Sequence, residues 1–112
     1  MTQKEAIAMA GAMRRHALSD EMLVRFLTEL EGRIATRIRR ETVEPHISCP
    51  VRGCNTALSV PAPFDRIYWT YLVAMIDLAA GNGEQYRISR ELFEEAFDAY
   101  ARWYQQTSGN GA

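Results

Sequence analysis

Two long segments with helical apolar spacing, separated by Gly81-Asn82-Gly83, constrain the fold of this 112-residue chain more than any other feature. The first begins near Pro63–Asp65 and ends at Gly81, a natural helix stop. The second extends from about Glu84 to Thr107. In both, apolar residues recur every three or four positions, as they do on one face of an α-helix. Residues 60–107 are therefore predicted to form a helical hairpin that supplies most of the core.

The predicted inner faces of this hairpin are rich in aromatic residues. In the first helix they comprise Ile67, Tyr68, Tyr71, Leu72, Met75, Ile76, Leu78 and Ala79. In the second they comprise Tyr86, Ser89, Phe93, Ala96, Phe97, Tyr100 and Tyr104, widened by Leu92 and Trp103.

Two shorter helices are predicted in the N-terminal third. Thr2 and Glu5 fit a capping box that starts the first helix, and its narrow apolar stripe consists of Ile7, Ala10 and Met13. Ser19 is a good N-cap for a second, clearly amphipathic helix from about Ser19 to Arg40. The apolar positions of the second helix are Leu23, Phe26, Leu27, Leu30, Ile34 and Ile38.

Residues 41–62 interrupt the helical pattern. They contain three of the four prolines of the chain, which exclude a continuous helix. Either an open loop or a short β-hairpin that projects from the helical body fits this composition. The predicted fold is thus all-α, a small bundle of about four helices with a long C-terminal hairpin and a projecting segment between helices 2 and 3. Residues 1–107 form one domain, and 108–112 form a flexible tail.

Amino-acid composition excludes few classes of function and favours neither nucleic acid nor membrane as a charged partner. Net charge is −1, so bulk electrostatics attracts neither nucleic acid nor membrane. Residues 1–41 carry eight basic and six acidic side chains, whereas 65–112 carry four and seven. This polarity suits head-to-tail contact between copies, although solvated faces produce it equally well. No apolar run is long enough to cross a bilayer, and no signal-peptide pattern occurs, so a cytoplasmic product is expected.

The sequence offers weak candidates for metal or catalytic chemistry. His46, Cys49 and Cys54 have spacing like part of a zinc site, but a structural zinc normally needs four ligands. A nucleophilic pair of Cys49 and His46 would need an orienting third group and an oxyanion pocket, and neither is evident. Since a cytoplasmic chain keeps its thiols reduced, the two cysteines are expected to be free. No cofactor, metal or catalytic residue is predicted, and the chain is expected not to be an enzyme.

Two sets of residues have both a functional and a structural interpretation. Arg33, Arg37, Arg39 and Arg40 could contact phosphates, or could be a solvated face that compensates the negative end of the second helix. Trp69 and Trp103 fall beside the predicted inner stripes. They either pack at a helix edge or anchor a subunit interface.

Several groups of residues resemble a family of small proteins encoded in the head-morphogenesis modules of tailed phages and prophages. In the C-terminal half they are VPAPFD at 60–65, YLVAMID at 71–77, NGEQY at 82–86 and YARWY at 100–104. In the N-terminal half they are KEA at 4–6, SDE at 19–21 and LTELEGRI at 27–34. The resemblance covers nearly the whole chain except residues 41–59. It consists of packing and turn residues, not a catalytic motif.

This resemblance implies a head–tail connector protein, also called an adaptor or head-completion protein. Such proteins are helical subunits that form a ring, dodecameric by resemblance, under the portal and continue the DNA channel toward the tail. The implied partners are other copies of the chain, the portal protein, a tail or stopper protein and, without sequence readout, packaged DNA. The implied location is the virion neck, after assembly in the host cytoplasm and without any membrane.

The resemblance gives roles to the residues singled out above. Trp69 and Trp103 become candidate subunit contacts, and the four arginines become candidate DNA-channel or phosphate contacts. His46 and Arg52 lie outside the resemblance, in the projecting segment, and are candidate portal or tail contacts because exposed loops commonly bind partners. The main alternative is a small helical DNA-binding or packaging accessory protein, and an enzyme ranks third because no catalytic constellation supports it.

Overall fold

A computed structural model of the chain describes residues 1–40 and 57–109. These residues form four α-helices and no named strand, which confirms the all-α prediction. The helices are α1 (Gln3–Met13), α2 (Asp20–Arg37), α3 (Arg66–Ala79) and α4 (Gly83–Tyr104), and a π-helical turn, Gln105–Gly109, follows α4. One isolated antiparallel bridge joins Thr2 to Ala57.

Helices α1 and α2 begin at the predicted N-caps, Thr2 and Ser19, and Asn82 caps α4. The predicted capping box is confirmed: Thr2 N donates to Glu5 Oε1 at 2.9 Å, and Glu5 N donates to Thr2 Oγ1 at 3.2 Å. The hydrogen bond from the Thr2 backbone lowers the pKa of the Glu5 carboxyl. The side-chain oxygens of Ser19 and Asn82 each accept a backbone N–H three residues later, at 3.2 Å. Local chemistry thus fixes these helix starts.

Two helix ends adopt the left-handed backbone region. Gly81 has a φ of 73°, in agreement with its predicted role as a stop after α3. The second helix ends at Arg37, three residues earlier than predicted. There the chain turns at Arg40, a non-glycine residue with a φ of 56°, which is unfavourable for an L-residue with a long side chain.

Helix α3 lies at the centre and packs against the other three helices. Helix α1 runs parallel to α3, because the Met1 amino group lies 4.0 Å from Asp65 Oδ2 at one end and Arg14 contacts Asp77 at the other. Helix α4 returns antiparallel to α3 and completes the C-terminal hairpin. Most sides of α3 are consequently buried, and its buried residues are Ile67, Tyr68, Thr70, Tyr71, Leu72, Val73, Ala74, Ile76 and Asp77.

Burial differs from the sequence prediction at several positions. Met13, Leu78 and Leu92 were predicted to lie on inner faces, yet they are 54%, 53% and 46% exposed. In α1 the buried face consists of Gln3, Ala6 and Ala10; of the predicted stripe, Ala10 is buried and Ile7 is half-buried against the core. Apolar spacing identifies an apolar helix face, but whether another helix covers it depends on the tertiary arrangement.

The end of the predicted projecting segment belongs to the helical body. Leu58 and Val60 are 9% and 1% exposed, and Leu58 N donates to the Met1 carbonyl at 2.9 Å. The prediction that all of 41–62 projects is therefore wrong for these residues, because their apolar side chains add to the core. Residues 41–56 lie outside the described residues.

Candidate subunit interface and arginine groove

Helix α4 is supported mainly by α3. Its backbone does not come close to the backbone of α1 or α2, although both of those helices pack on α3. Two clefts therefore flank α4, one toward α1 and one toward α2. Their linings differ in chemistry, and together they contain three of the residues singled out from the sequence, Arg33, Arg37 and Trp69.

The cleft toward α1 is apolar and has a volume of about 160 Å³. Its lining includes Met13, Trp69, Ile88 and Leu92, and Ile88 and Leu92 are each 46% exposed. Trp103 follows Leu92 by eleven residues, or three helical turns, so it lies on the same side of α4. We call this surface the apolar flank, and its residues are Met9, Met13, Trp69, Ile88, Leu92 and Trp103.

Both tryptophans are partly held by the core. Trp103 is 37% exposed, with its ring 5.8 Å from that of Tyr100 in a stacked arrangement and 5.2 Å from that of Phe64. Trp69 is half-buried and packs against the core cluster. The structure thus places both on one side of the molecule with part of each indole in solvent. This geometry suits an interface anchor, since rigid aromatic residues dominate such contacts.

An ion pair between half-buried Arg14 and buried Asp77 lies at the wall of the apolar cleft. Arg14 Nε is 2.8 Å from Asp77 Oδ1, and Ser89 Oγ donates to Asp77 Oδ2 at 2.8 Å. Arg14 Nη2 also donates to Gln85 Oε1 at 3.2 Å. This Arg14–Asp77 clasp joins the ends of α1 and α3 to the start of α4. Sequence reasoning missed it, although an acidic residue inside the apolar pattern of α3 was a usable signal.

The cleft toward α2 is polar and larger, about 400 Å³. We call it the arginine groove. Arg33 and Arg37 line its α2 wall, Tyr71 and Met75 lie at its base, and the α4 wall carries Tyr86, Arg90, Phe93 and Glu94. The Arg33 guanidinium carbon is 5.7 Å from the centroid of the Tyr71 ring. Burial raises the pKa of the Tyr71 hydroxyl, and nearby Arg33 opposes that shift.

The charges on the two walls of the groove are not neutralised across it. Arg90 pairs with Glu94 on the same helix at 2.9 Å. Arg33 and Arg37 have no carboxylate within ion-pair distance among residues 1–40 and 57–109. A smaller space of about 130 Å³ extends the groove toward Phe97 and Asp98. The α2 wall therefore presents two unpaired guanidinium groups four residues apart.

Arg39 has a different environment from the other arginines. Its Nη2 donates to Tyr100 Oη at 2.7 Å, and its Nη1 donates to Ser59 Oγ at 2.9 Å. Burial acts to lower the pKa of Arg39, but the hydrogen bond with Tyr100 and the charge of Glu31 outweigh it, so the pKa is raised. Arg39 thus joins the end of α2 to α4 and to the chain that enters α3.

Tyr68 completes this cluster from within the core. Its hydroxyl donates to Glu31 Oε1 at 2.6 Å and accepts from Val60 N at 2.9 Å. Burial, followed by the hydrogen bond to Glu31, raises the pKa of Tyr68 well above its usual range. We call the set of Glu31, Arg39, Ser59, Tyr68 and Tyr100 the Arg39–Tyr68 clasp.

The predicted arginine set does not form one patch. Arg33 and Arg37 share the groove, Arg39 belongs to the Arg39–Tyr68 clasp, and Arg40 is exposed beyond the end of α2. The other predicted contacts, His46 and Arg52, and the cysteine residues Cys49 and Cys54 lie outside the described residues.

Within 1–40 and 57–109, no group of three or more His, Cys, Asp or Glu side chains is placed to hold a metal ion. No helix in this part of the chain has the length and apolar character required to cross a membrane.

Comparison with protein-family models, curated proteins and solved structures gives no match to this chain. The resemblance to phage connector proteins therefore enters the functional argument as a hypothesis.

Proposed function

We propose that this chain is a virion structural protein, a head–tail connector subunit of a tailed phage or prophage. In this proposal it forms an oligomeric ring under the portal protein and continues the DNA channel toward the tail or stopper protein. The proposal depends on one observation, the resemblance of its packing and turn residues to the connector family over nearly the whole chain.

The apolar flank supports a role in assembly. An isolated subunit of an obligate oligomer leaves apolar surface exposed, whereas a monomer normally keeps such patches small. Trp69 and Trp103, the two proposed subunit contacts, lie on this flank beside Ile88 and Leu92, each 46% exposed. A partner that covers the flank would remove these side chains from water.

The intervening segment is the proposed portal or tail contact. Its flanking residues, Arg39 and Ser59, are joined at 2.9 Å in the Arg39–Tyr68 clasp. An open loop or short β-hairpin between them would carry His46 and Arg52 away from the helical body. Segments of this kind commonly bind partners because a rigid scaffold positions them.

A deletion in the phage genome tests the proposed function. Loss of the gene should give DNA-filled heads that do not join tails, and electron microscopy of lysates would count them. Complementation with the wild-type gene should restore tailed particles, whereas a Trp69→Ser plus Trp103→Ser variant should restore fewer. Normal yields of infectious, tailed particles from the deletion strain would refute the connector role.

The alternative, a DNA-binding or packaging accessory protein, is favoured by one observation. Arg33 and Arg37 are unpaired within the described residues and face an open groove. Against this, Glu94 and Asp98 on the opposite wall would repel a phosphate backbone. Binding of isolated protomers to duplex DNA with a steep dependence on salt would favour this alternative.

A further inference from the structure

The arginine groove is open to solvent and has two features typical of a binding surface. Arg33 and Arg37 present positive charge with no carboxylate partner among residues 1–40 and 57–109, and Tyr71, Met75 and Phe93 present apolar surface between the walls. A chain that fills this groove therefore needs carboxylates toward α2 and apolar side chains toward the base. Because Glu94 and Asp98 line the α4 side, a uniformly acidic partner such as a nucleic acid backbone fits poorly.

The same protein carries a surface with these properties on α4. Glu84, Ile88, Glu91, Leu92 and Glu95 are all exposed. At 100° per residue they fall within an arc of about 100°, so they form one stripe on the helix. We call this surface the acidic stripe. It alternates carboxylates with the aliphatic residues of the apolar flank.

The dimensions of the two surfaces agree. The stripe from Glu84 to Glu95 is about 16 Å long, and the groove from Tyr86 to Asp98 is about 18 Å long, at 1.5 Å per residue. Arg33 and Arg37 are four residues apart on α2, as Glu91 and Glu95 are on α4. Side chains at this spacing lie about 6 Å apart on one helix face, so two facing pairs can form in register.

We propose that the arginine groove of one copy binds the acidic stripe on α4 of a second copy. The pairs would be Arg33 and Arg37 with Glu91 and Glu95, while Ile88 and Leu92 lie toward the aromatic base of the groove. The inference deepens the proposed function and rests on it, because it names the surfaces through which connector subunits join.

The positions of the arginine groove and the acidic stripe on the subunit determine the symmetry of the oligomer that their contact can form. The groove and the stripe lie on different sides of α4, so one copy can use both at once. A contact between unlike surfaces is heterologous, and repeated use of it closes into a ring when the rotation permits. A symmetric two-fold dimer would instead bury the same patch on both copies.

Charge reversal tests the contact. The first variant carries Arg33→Glu and Arg37→Glu, and the second carries Glu91→Arg and Glu95→Arg. Each alone should self-associate at least about tenfold more weakly than the wild type, because opposed charges become like charges at a contact. Sedimentation velocity over roughly a hundredfold range of concentration would measure this, since association follows mass action.

Mixing the two variants gives the sharper result. The intact stripe of the first fits the intact groove of the second, and the acidic groove of the first fits the basic stripe of the second, so the mixture should recover association with the two variants alternating. A third variant with all four reversals should recover self-association, because its groove is acidic and its stripe is basic. The matched control, Arg15→Glu plus Arg25→Glu, changes two exposed arginines outside both surfaces and should associate like the wild type.

The outcomes separate this inference from the proposed function. Self-association that is unchanged by the reversals, or a mixture that associates no more strongly than either variant alone, overturns the groove contact and leaves the connector role standing. A wild-type protein that stays monomeric alone and with portal protein overturns both. Circular dichroism on every variant shows whether helical content is retained, and all substituted side chains are exposed.

Discussion

We predict that substitution of the two members of the Arg14–Asp77 clasp lowers stability by different amounts. These two members differ in exposure: the Arg14 side chain is 34% exposed, whereas that of Asp77 is 3% exposed. If Arg14 is removed, a carboxylate is left buried and without its ionic partner. If Asp77 is neutralised instead, the guanidinium can turn toward water. The two substitutions should therefore lower the free energy of unfolding by different amounts, although both break the same ion pair.

The expected loss in free energy of unfolding follows from how deeply each side chain is buried. Breaking a buried ion pair by removal of one partner costs about 3–5 kcal/mol. Arg14→Met should fall near the lower end of that range, about 3 kcal/mol, because Ser89 still donates to the carboxylate. Asp77→Asn keeps the shape of the side chain and an acceptor for Ser89, so it should cost only about 1–2 kcal/mol.

Urea denaturation measures both changes. With a denaturant slope of about 2 kcal/mol per molar, Arg14→Met should lower the midpoint by about 1.5 M and Asp77→Asn by about 0.5–1 M. In the double variant the costs should not add, because the buried charge left by the first change is removed by the second. If Asp77→Asn costs as much as Arg14→Met, or if the two costs add, the argument from burial is wrong.

Four further predictions concern other parts of the molecule. Tyr68→Phe should lower the free energy of unfolding by about 1–3 kcal/mol, because the buried Val60 N–H loses its acceptor; urea denaturation checks this. Since burial raises the pKa of Tyr68 and Tyr71, stability should be complete below about pH 10 and fall as the pH rises further, and denaturation at alkaline pH should show a smaller fall in Tyr68→Phe. Arg40→Gly should raise stability by about 0.5–1 kcal/mol, because glycine accepts a φ of 56°; a lower melting temperature would contradict this. Trp103→Ser should weaken self-association, measured by sedimentation velocity, and change the melting temperature little. A lower melting temperature with unchanged self-association would assign Trp103 to the core alone.

Helix positions could be predicted from sequence because local chemistry determines them. The capping residues Thr2, Ser19 and Asn82 each bind a backbone N–H close in the chain, and apolar spacing reports which face of a helix avoids water. These signals need no knowledge of the tertiary structure. The four helices were accordingly predicted with small errors at their ends.

The two clasps could not be predicted because their partners are far apart in the chain. Arg39 appeared to belong with Arg33 and Arg37 as one charged face, yet it binds Tyr100, 61 positions away. Asp77 binds Arg14, 63 positions away. Likewise, spacing placed Leu92 on an inner face although no described helix covers it. Sequence pattern identified the residue types at the candidate site, but only the packing of α3 separated the apolar flank from the arginine groove.

The Arg39–Tyr68 clasp has a consequence for how this protein can change during evolution. Because Arg39 and Ser59 bind each other and the helical body, the described residues on either side of 41–56 are held in place by contacts that do not involve those residues. For a flexible connection, doubling the length changes the entropy of closure by only about 0.6 kcal/mol. A lineage can thus lengthen, shorten or replace the intervening residues to suit a new partner while the four helices remain folded.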